Sequence, residues 1–420
     1  MDTDKTEPIH FESARIRISL DNARDGRGWH CPGVLSPPTM ALSCDSATLE
    51  TALFVHGTVK QTWSDPLAAL AWMSDSLRYP VSANSSGRWV GYLSYDLGRL
   101  FEPMLARAVD DLRVALFVFT YHERVGTAAV PVSSAGALAS AEIPHSNFTQ
   151  QAYWSVVARA KEYIAAGDVF QVNLSQRFTT KLTAEPHMIY QRLRQFYPSD
   201  YGACLIYDDF ALLCNSPELF LRVSPDRQVI TRPIKGTRPL KPGMQGELRD
   251  STKDQAELNM IVDLERNDLG RVCEIGSVKV IEPRTIESHP TVYHGVATIG
   301  GKLRDEIDFV ELLRATFPGG SITGAPKIRA MQIIDELEAV RRGPYCGAIG
   351  YLAADGSMEF NVAIRTMIVK DGMVHIPVGG GIVADSDPVE EYEETLVKAK
   401  AMFEALGIGE SAKCKMQSAK

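Results

Sequence analysis

The sequence has no C-x-x-C pair, and its seven cysteines (Cys31, Cys44, Cys204, Cys214, Cys273, Cys346 and Cys414) are scattered. Both a disulfide framework and a structural zinc site need paired thiols, so both are disfavoured. Long apolar runs are missing too. The longest, such as Val114-Ala-Leu-Phe-Val-Phe119, are strand-sized and too short to cross a bilayer. Positive charge is in deficit, with a net charge of −8. Non-specific nucleic-acid binding wants a basic face and is not expected. An anionic small molecule stays compatible, because a site can be locally positive on an acidic protein. The N-terminal Met-Asp-Thr-Asp-Lys is polar and acidic, unlike a signal peptide. The expectation is a soluble cytoplasmic protein with no membrane segment. The G-x-S-x-G elbow, the H-E-x-x-H helix, the Rossmann fingerprint and the Cys-nucleophile signature of a glutamine amidotransferase are all absent.

What is present is an ordinary globular composition: 420 residues, 45% hydrophobic and 23% charged, enough for one large or two ordinary domains. Residues 1–145 read as an irregular α/β region. Thr51–His56, Trp89–Tyr95 and Arg113–Tyr121 are strand-like, Pro66–Met73 is a short helix, and Asp21–Pro38 is a long loop. A run of small residues from Val130 to Asn147 marks a boundary. Residues 146–410 form the second region, and 411–420 a frayed tail. Within 146–410, Asn147 or Thr149 caps a helix closed by Gly167, and Val169–Arg177 alternates as a strand. A helix spans Pro186–Phe196, strands cover Ala203–Tyr207 and Ala211–Asn215, and Ser251 or Thr252 caps the helix carrying Glu257. A helix near Asp308–Thr316 leads to Phe317–Lys327, followed by a helix to about Arg341. The C-terminal third is a meander with turns at Asp355-Gly356 and Asp371-Gly372. The last helix runs from Pro388 to Leu406, with Asp387 as cap and Gly407 past its end. Short connections without a βαβ rhythm indicate antiparallel pairing.

Four stretches could carry chemistry. Glu391, Glu394 and Lys398 fall within about 60° of arc on the last helix, beside its apolar stripe. Spacing alone fits dipole-complementing acids and an i,i+4 ion pair. The sharper reading is a carboxylate for a hard cation, with a Lys one turn on for a substrate carboxylate. Glu257 gains interest as a second carboxylate for Mg²⁺, which typically takes one or two from protein. Phe317–Lys327 is rich in glycine and hydroxyls, including Ser321, and can present backbone N–H groups to an anion. It is not a P-loop, since Ala-Pro follows Gly324 where Lys-Ser/Thr is required. Gly379-Gly380-Gly381 ends a strand and suggests close backbone approach. Finally, Thr231–Leu240 sets Lys235 between a Pro-imposed extended approach and a Gly-Thr turn.

Together these stretches resemble the chorismate-utilising enzymes. The resemblance runs over residues 146–406 through Gly167–Arg177, Ser216-Pro-Glu218, Asp263–Arg271, Phe317–Lys327, Tyr345–Gly350 and Gly379–Thr395. It is looser before residue 145, resting on Gly91–Gly98. It implies an α/β (α+β) fold: an antiparallel β-sandwich core flanked by helices, with the N-terminal portion merged into the same body. It also implies that Glu257 and Glu394 are Mg²⁺ ligands, with Glu391 close by. Lys398, Arg365, Tyr345 and backbone at Gly379 would hold substrate carboxylates, with His294 beside the ring. Glu218 would be the general acid for the departing C4 hydroxyl.

Two positions separate the branches of that family. Members that use water carry a Lys base where this chain has Gln171, which lacks a titratable amine, so ammonia is the implied nucleophile. Anthranilate-forming members resemble Pro-Ile-Ala-Gly-Thr. Those that aminate C4 resemble Pro-Ile-Lys-Gly-Thr, which this chain has around Lys235. The resemblance gives Lys235 a covalent role: its neutral amine attacks C2 of chorismate, and ammonia then adds at C4 and expels it. The implied product is 4-amino-4-deoxychorismate, on the route to p-aminobenzoate and folate, with ammonia from a separate glutamine amidotransferase subunit. The alternatives are C2 amination to anthranilate and a non-catalytic ligand-binding or regulatory subunit.

Overall fold

Strands with regularly alternating side chains must bury one face or both, and here they do so by stacking. The computed structural model describes residues 12, 15–23, 26–77, 87–104, 107–126 and 142–409. The core of the small-residue run, 127–141, and the tail, 410–420, lie outside the described residues. Among the described residues the strands form a ten-stranded and a twelve-stranded sheet, and every pairing between their strands is antiparallel. Their inner faces meet in one apolar layer. Ile18, Leu20, Ala203, Leu205, Leu212 and Ile368 come from the first sheet, and Val90, Tyr92, Val118, Ile349 and Tyr351 from the second.

The outward-facing residues of the two sheets face helices. Leu174, Phe178, Ile376 and Val378 share a cluster with Val157, Tyr392, Leu396 and Phe403. Trp89, Leu93, Phe117 and Phe119 share it with Leu70, Met73, Phe309 and Leu312 on the other side. Strand Arg88–Leu93 is therefore buried along its whole length, which explains its continuous rather than alternating apolar character. The result is the antiparallel sandwich flanked by helices. The N-terminal strands Met40–Cys44, Thr51–Val55, Arg88–Leu93 and Phe117–His122 belong to the twelve-stranded sheet, joined through Ala348–Ala353.

Local signals set the helix ends. Thr149 accepts from the Ala152 N–H to start Gln150–Ala165. Asp308 and Glu311 complete a capping box at Phe309–Thr316. Asp387 accepts from Val389 and Glu390 to open Pro388–Ala405. Asp371 and Gly372 both take positive φ (51° and 72°) in the turn joining Thr366–Lys370 to Met373–Ile382, as a two-residue hairpin requires.

Three expectations change. The loop Asp21–Pro38 contains the strand Gly33–Leu35, paired to Arg17–Asp21. The strand expected over Arg113–Tyr121 begins only at Phe117 and runs to His122, and Arg113 itself adopts φ 45°. The helix after Pro326 stops at Leu337, not near Arg341, because Glu338 and Arg342 are drawn into a buried polar network instead. The hairpin Lys279–Ser288 and Val292–Lys302 was not foreseen: its first strand is largely exposed and carries Pro283, so it lacks an apolar alternation.

Candidate functional site

The site is built where strand ends, the last helix and the Lys235 segment converge. Strand Gln171–Lys181 pairs with Met373–Ile382, setting Asn173 opposite Gly381 and Ser175 opposite Gly379. The last helix lies over this pair. A Cβ on Gly380 would stand 3.1 Å from Glu391 Oε2, 3.5 Å from Glu394 Oε1 and 3.7 Å from Lys398 Nζ. At Gly381 it would stand 2.1 Å from Gln171 Nε2 and 3.0 Å from Glu257 Oε1. Gly381 is thus needed for room, because the Gln171 amide occupies the space its side chain would take, while at Gly380 a side chain would meet Glu391 closely.

Glu257 is the hub. Its Oε1 accepts from Lys235 Nζ at 2.7 Å and from Gln171 Nε2 at 2.6 Å. A carboxylate only accepts, so the Gln171 amide must direct its NH₂ there. Gln171 Oε1 is then left buried without a protein partner among the described residues, free to accept from a ligand. Lys398 Nζ bonds Glu394 Oε1 at 2.6 Å and donates to the Gly379 carbonyl at 2.8 Å. Glu391 Oε1 accepts from the Ser386 hydroxyl at 2.6 Å. Glu394 keeps 52% of its side-chain surface exposed, so this side of the site is open.

Glu218 lies deeper, between strands Phe210–Ser216 and Leu219–Val223, with its Oε1 buried and unpartnered among the described residues. Burial raises its carboxyl above the ordinary range, while Ser321, Lys235, the Ile234 amide and Arg365 pull the other way. Arg365, at φ 50°, is a partly buried cation near that acid. His294 is buried, and its Nδ1 lies 2.9 Å from the Thr237 hydroxyl. Burial, aided by Arg365, lowers His294 well below the usual histidine range, so the ring is neutral at pH 7. Tyr345 is buried beside Cys346 and Arg342.

The charges are arranged in pairs. For Glu257, burial opposes ionisation, but Lys235 and Gln171 outweigh it and hold the carboxyl below its ordinary value. Lys398 does the same for Glu394. Glu391 is raised by burial against the Ser386 hydrogen bond. Among the described residues no three His, Cys, Asp or Glu side chains converge on one point. Glu257 and Glu394 are near enough to feel each other's charge, and carboxylates so placed suit Mg²⁺, a hard cation that fills its remaining positions with water and ligand oxygen.

Two further features were not singled out from sequence. Glu265 sits eight residues beyond Glu257 on the helix Thr252–Gly270, and its Oε2 accepts from Thr231 at 2.9 Å. Burial first, then Glu218, push its carboxyl to about 8. The spacing 257, 261, 265 on one helical stripe was the available signal. Glu338 and Arg342 form a buried i,i+4 ion pair at 2.7 Å.

The chain resembles known proteins along most of its length. The family model for chorismate binding enzyme matches residues 42–404. Aminodeoxychorismate synthase component 1 of Bacillus subtilis is 35% identical over 448 aligned positions, 95% of this chain and 93% of that protein. Anthranilate synthase component 1 of Pseudomonas aeruginosa is 46% identical over 272 positions, but that match covers 63% of this chain and 55% of the relative. The chain thus spans about half the length of several curated relatives it matches. The solved anthranilate synthase component I of Streptococcus pneumoniae has a TM-score of 0.76 at 28% identity, covering 96% of this chain and 95% of that one. The menaquinone-specific isochorismate synthase of Escherichia coli shares the fold, with a TM-score of 0.65 at 18% identity and 96% coverage of both chains. No helix among the described residues is long and apolar enough to cross a membrane. A sandwich of this form, carrying these motifs and matched across residues 42–404, belongs to the family of chorismate binding enzymes.

Proposed function

We propose that the chain converts chorismate and ammonia to 4-amino-4-deoxychorismate, the precursor of p-aminobenzoate and folate, as the synthase component of a pair whose glutamine amidotransferase subunit supplies the ammonia. The observation that carries this reading is Lys235. It projects from strand Ile234–Pro239 to within 2.7 Å of Glu257, with Glu218 and Gln171 around it. A primary amine at that point can act covalently; an apolar residue there could not.

In the first step Lys235 leaves Glu257, releases a proton to solvent and attacks C2 of chorismate with its nitrogen lone pair. Both ring double bonds shift, and the C4–O bond breaks. Glu218, buried and raised, gives its proton to the departing oxygen, which leaves as water. In the second step the ammonia lone pair forms a C4–N bond, both double bonds shift back and the C2–N bond to Lys235 breaks, freeing the amine to take back a proton from solvent. The surplus ammonium proton returns to the carboxylate of Glu218. Gln171 Oε1 can accept a hydrogen bond from the incoming nucleophile, and it offers no base to activate water. Arg365 and Lys398 supply positive charge for the substrate carboxylates, and neutral His294 lines the ring. Mg²⁺ held by Glu257 and Glu394, with Glu391 nearby, would supply charge neutralisation for a chorismate carboxylate.

The rival reading is amination at C2 to anthranilate, favoured by the 46% identity to an anthranilate synthase component 1 over 272 positions. Purified protein with Mg²⁺, chorismate and ammonium decides between them. The proposal expects a product that an aminodeoxychorismate lyase turns into p-aminobenzoate, and loss of that product in Lys235→Ala. Fluorescent anthranilate alone, or undiminished turnover of the variant, rejects the Lys235 mechanism.

A further inference from the structure

Arg342 is only 5% exposed and Glu338 4%. Arg342 Nε donates to Glu338 Oε2 at 2.9 Å, and its Nη2 to Glu338 Oε1 at 2.7 Å. The fork has capacity left, and it spends that on two carbonyls in different segments. Nη1 donates to Ile322 O and Nη2 to Asn173 O, both at 2.9 Å. Glu338 Oε1 in turn accepts from the Ser175 N–H at 2.8 Å and its hydroxyl at 2.9 Å. The Arg342 guanidinium also sits over the Tyr95 ring, 4.7 Å from its centroid.

The residues held this way are neighbours of the site. Asn173 is two residues from Gln171, and Ser175 pairs with Gly379, whose carbonyl accepts from Lys398. Ile322 follows Ser321, which lies beside Glu218. Asn173 N–H also donates to Thr323 O at 2.8 Å, so strand and loop are already in contact. Backbone pairing of Gln171 and Val172 with Ala325 and Gly324 joins the strand that presents Gln171 to the loop that presents Ser321, and the buried ion pair braces that junction from both segments. An ion pair kept this dry is a poor stability device: apolar residues of similar volume often serve as well or better. Its fork geometry does something apolar residues cannot, holding two carbonyls at fixed angles.

We propose that Glu338 and Arg342 are positioning residues for the amination chemistry, setting Gln171 and Ser321 against Glu257 and Glu218. The inference rests on the proposed function for the identity of the nucleophile, and otherwise on the geometry alone. The test compares Arg342→Lys, which keeps the charge but loses the fork, with the double variant Arg342→Met/Glu338→Leu, which replaces the pair by apolar volume. Chorismate consumption with ammonium is followed alongside thermal melting. The expected result is melting close to wild type, chorismate KM within about threefold, and kcat lowered by about 10- to 100-fold, as a small misplacement of reacting groups produces. Wild-type kcat in either folded variant overturns the proposal, and so does failure of both to fold, which would assign the pair to stability. Consumption is read whatever product forms. An anthranilate product therefore counts against the Lys235 mechanism without deciding the role of the pair.

Discussion

Replacing Glu265 by Gln removes one buried titratable group and leaves its size and its acceptor for Thr231 in place. In the folded chain that carboxyl sits at about 8 instead of 4.5, through burial first and Glu218 second; Asp268 adds to the effect, while Thr231 and Lys327 oppose it. A tenfold change in proton affinity is worth about 1.36 kcal/mol, so ionising Glu265 in place costs on the order of 5 kcal/mol as an upper figure. The sign follows from proton counting. Between pH 4.5 and about 8 the folded chain holds a proton that the unfolded chain has released. Stability therefore falls as pH rises through that window, and levels off above it. Glu265→Gln abolishes this loss. Unfolding entropy near 2.1 cal/mol/K per residue gives a chain of this length about 0.9 kcal/mol per degree. Melting temperatures of wild type and variant should then coincide near pH 5 and separate by ~5 °C by pH 8 to 8.5, the variant being higher. Scanning fluorimetry over that range reads it directly. Parallel curves would show that Glu265 ionises without penalty, and the reasoning about its burial would be wrong.

Gly381→Ala places a methyl 2.1 Å from Gln171 Nε2. It should push the amide off Glu257 and lower turnover by about tenfold or more with little change in melting, since misplacement by an ångström is enough. Kinetics beside a melting curve check this, and full activity would mean that Gln171 has room to move. For the metal, Mg²⁺ titrated into protein with chorismate should give a binding heat that vanishes in Glu257→Gln and in Glu394→Gln. Retained binding in both variants would move the cation elsewhere.

Much of the frame was readable in advance because its signals are local. The caps at Thr149, Ser251 and Asp387, the Asp-Gly turns and the stripe Tyr392, Leu396, Ala399 and Phe403 each act within a few residues. The stretches with Glu218, Lys235, Glu257, Gly379 and Glu394 could be marked through their resemblance to a family. The strand Gly33–Leu35 and the hairpin of Lys279–Ser288 with Val292–Lys302 were missed because pairing, not an apolar pattern, makes them strands. Lys398 beside Glu394 was foreseeable at i,i+4 on a helix, whereas Glu338 and Arg342 lie beyond a helix end and helical spacing does not announce their pair. Spacing gives no sign, however, that one pair lines an open cleft and the other is sealed.

The sequence by itself determined most of the elements, their antiparallel character and the kinds of group available: an amine at 235, carboxylates at 218, 257 and 394, and an amide at 171. Only the tertiary structure decided which of them meet. Glu257 Oε1 is shared by Lys235 and by Gln171, which lies 86 residues away. Register across a sheet brings Gly379, Gly380 and Gly381 beneath the last helix. The proton affinity of Glu265 likewise belongs to the fold. Its side chain is the same in either state, but removing water and placing Glu218 nearby change the free energy of its charge.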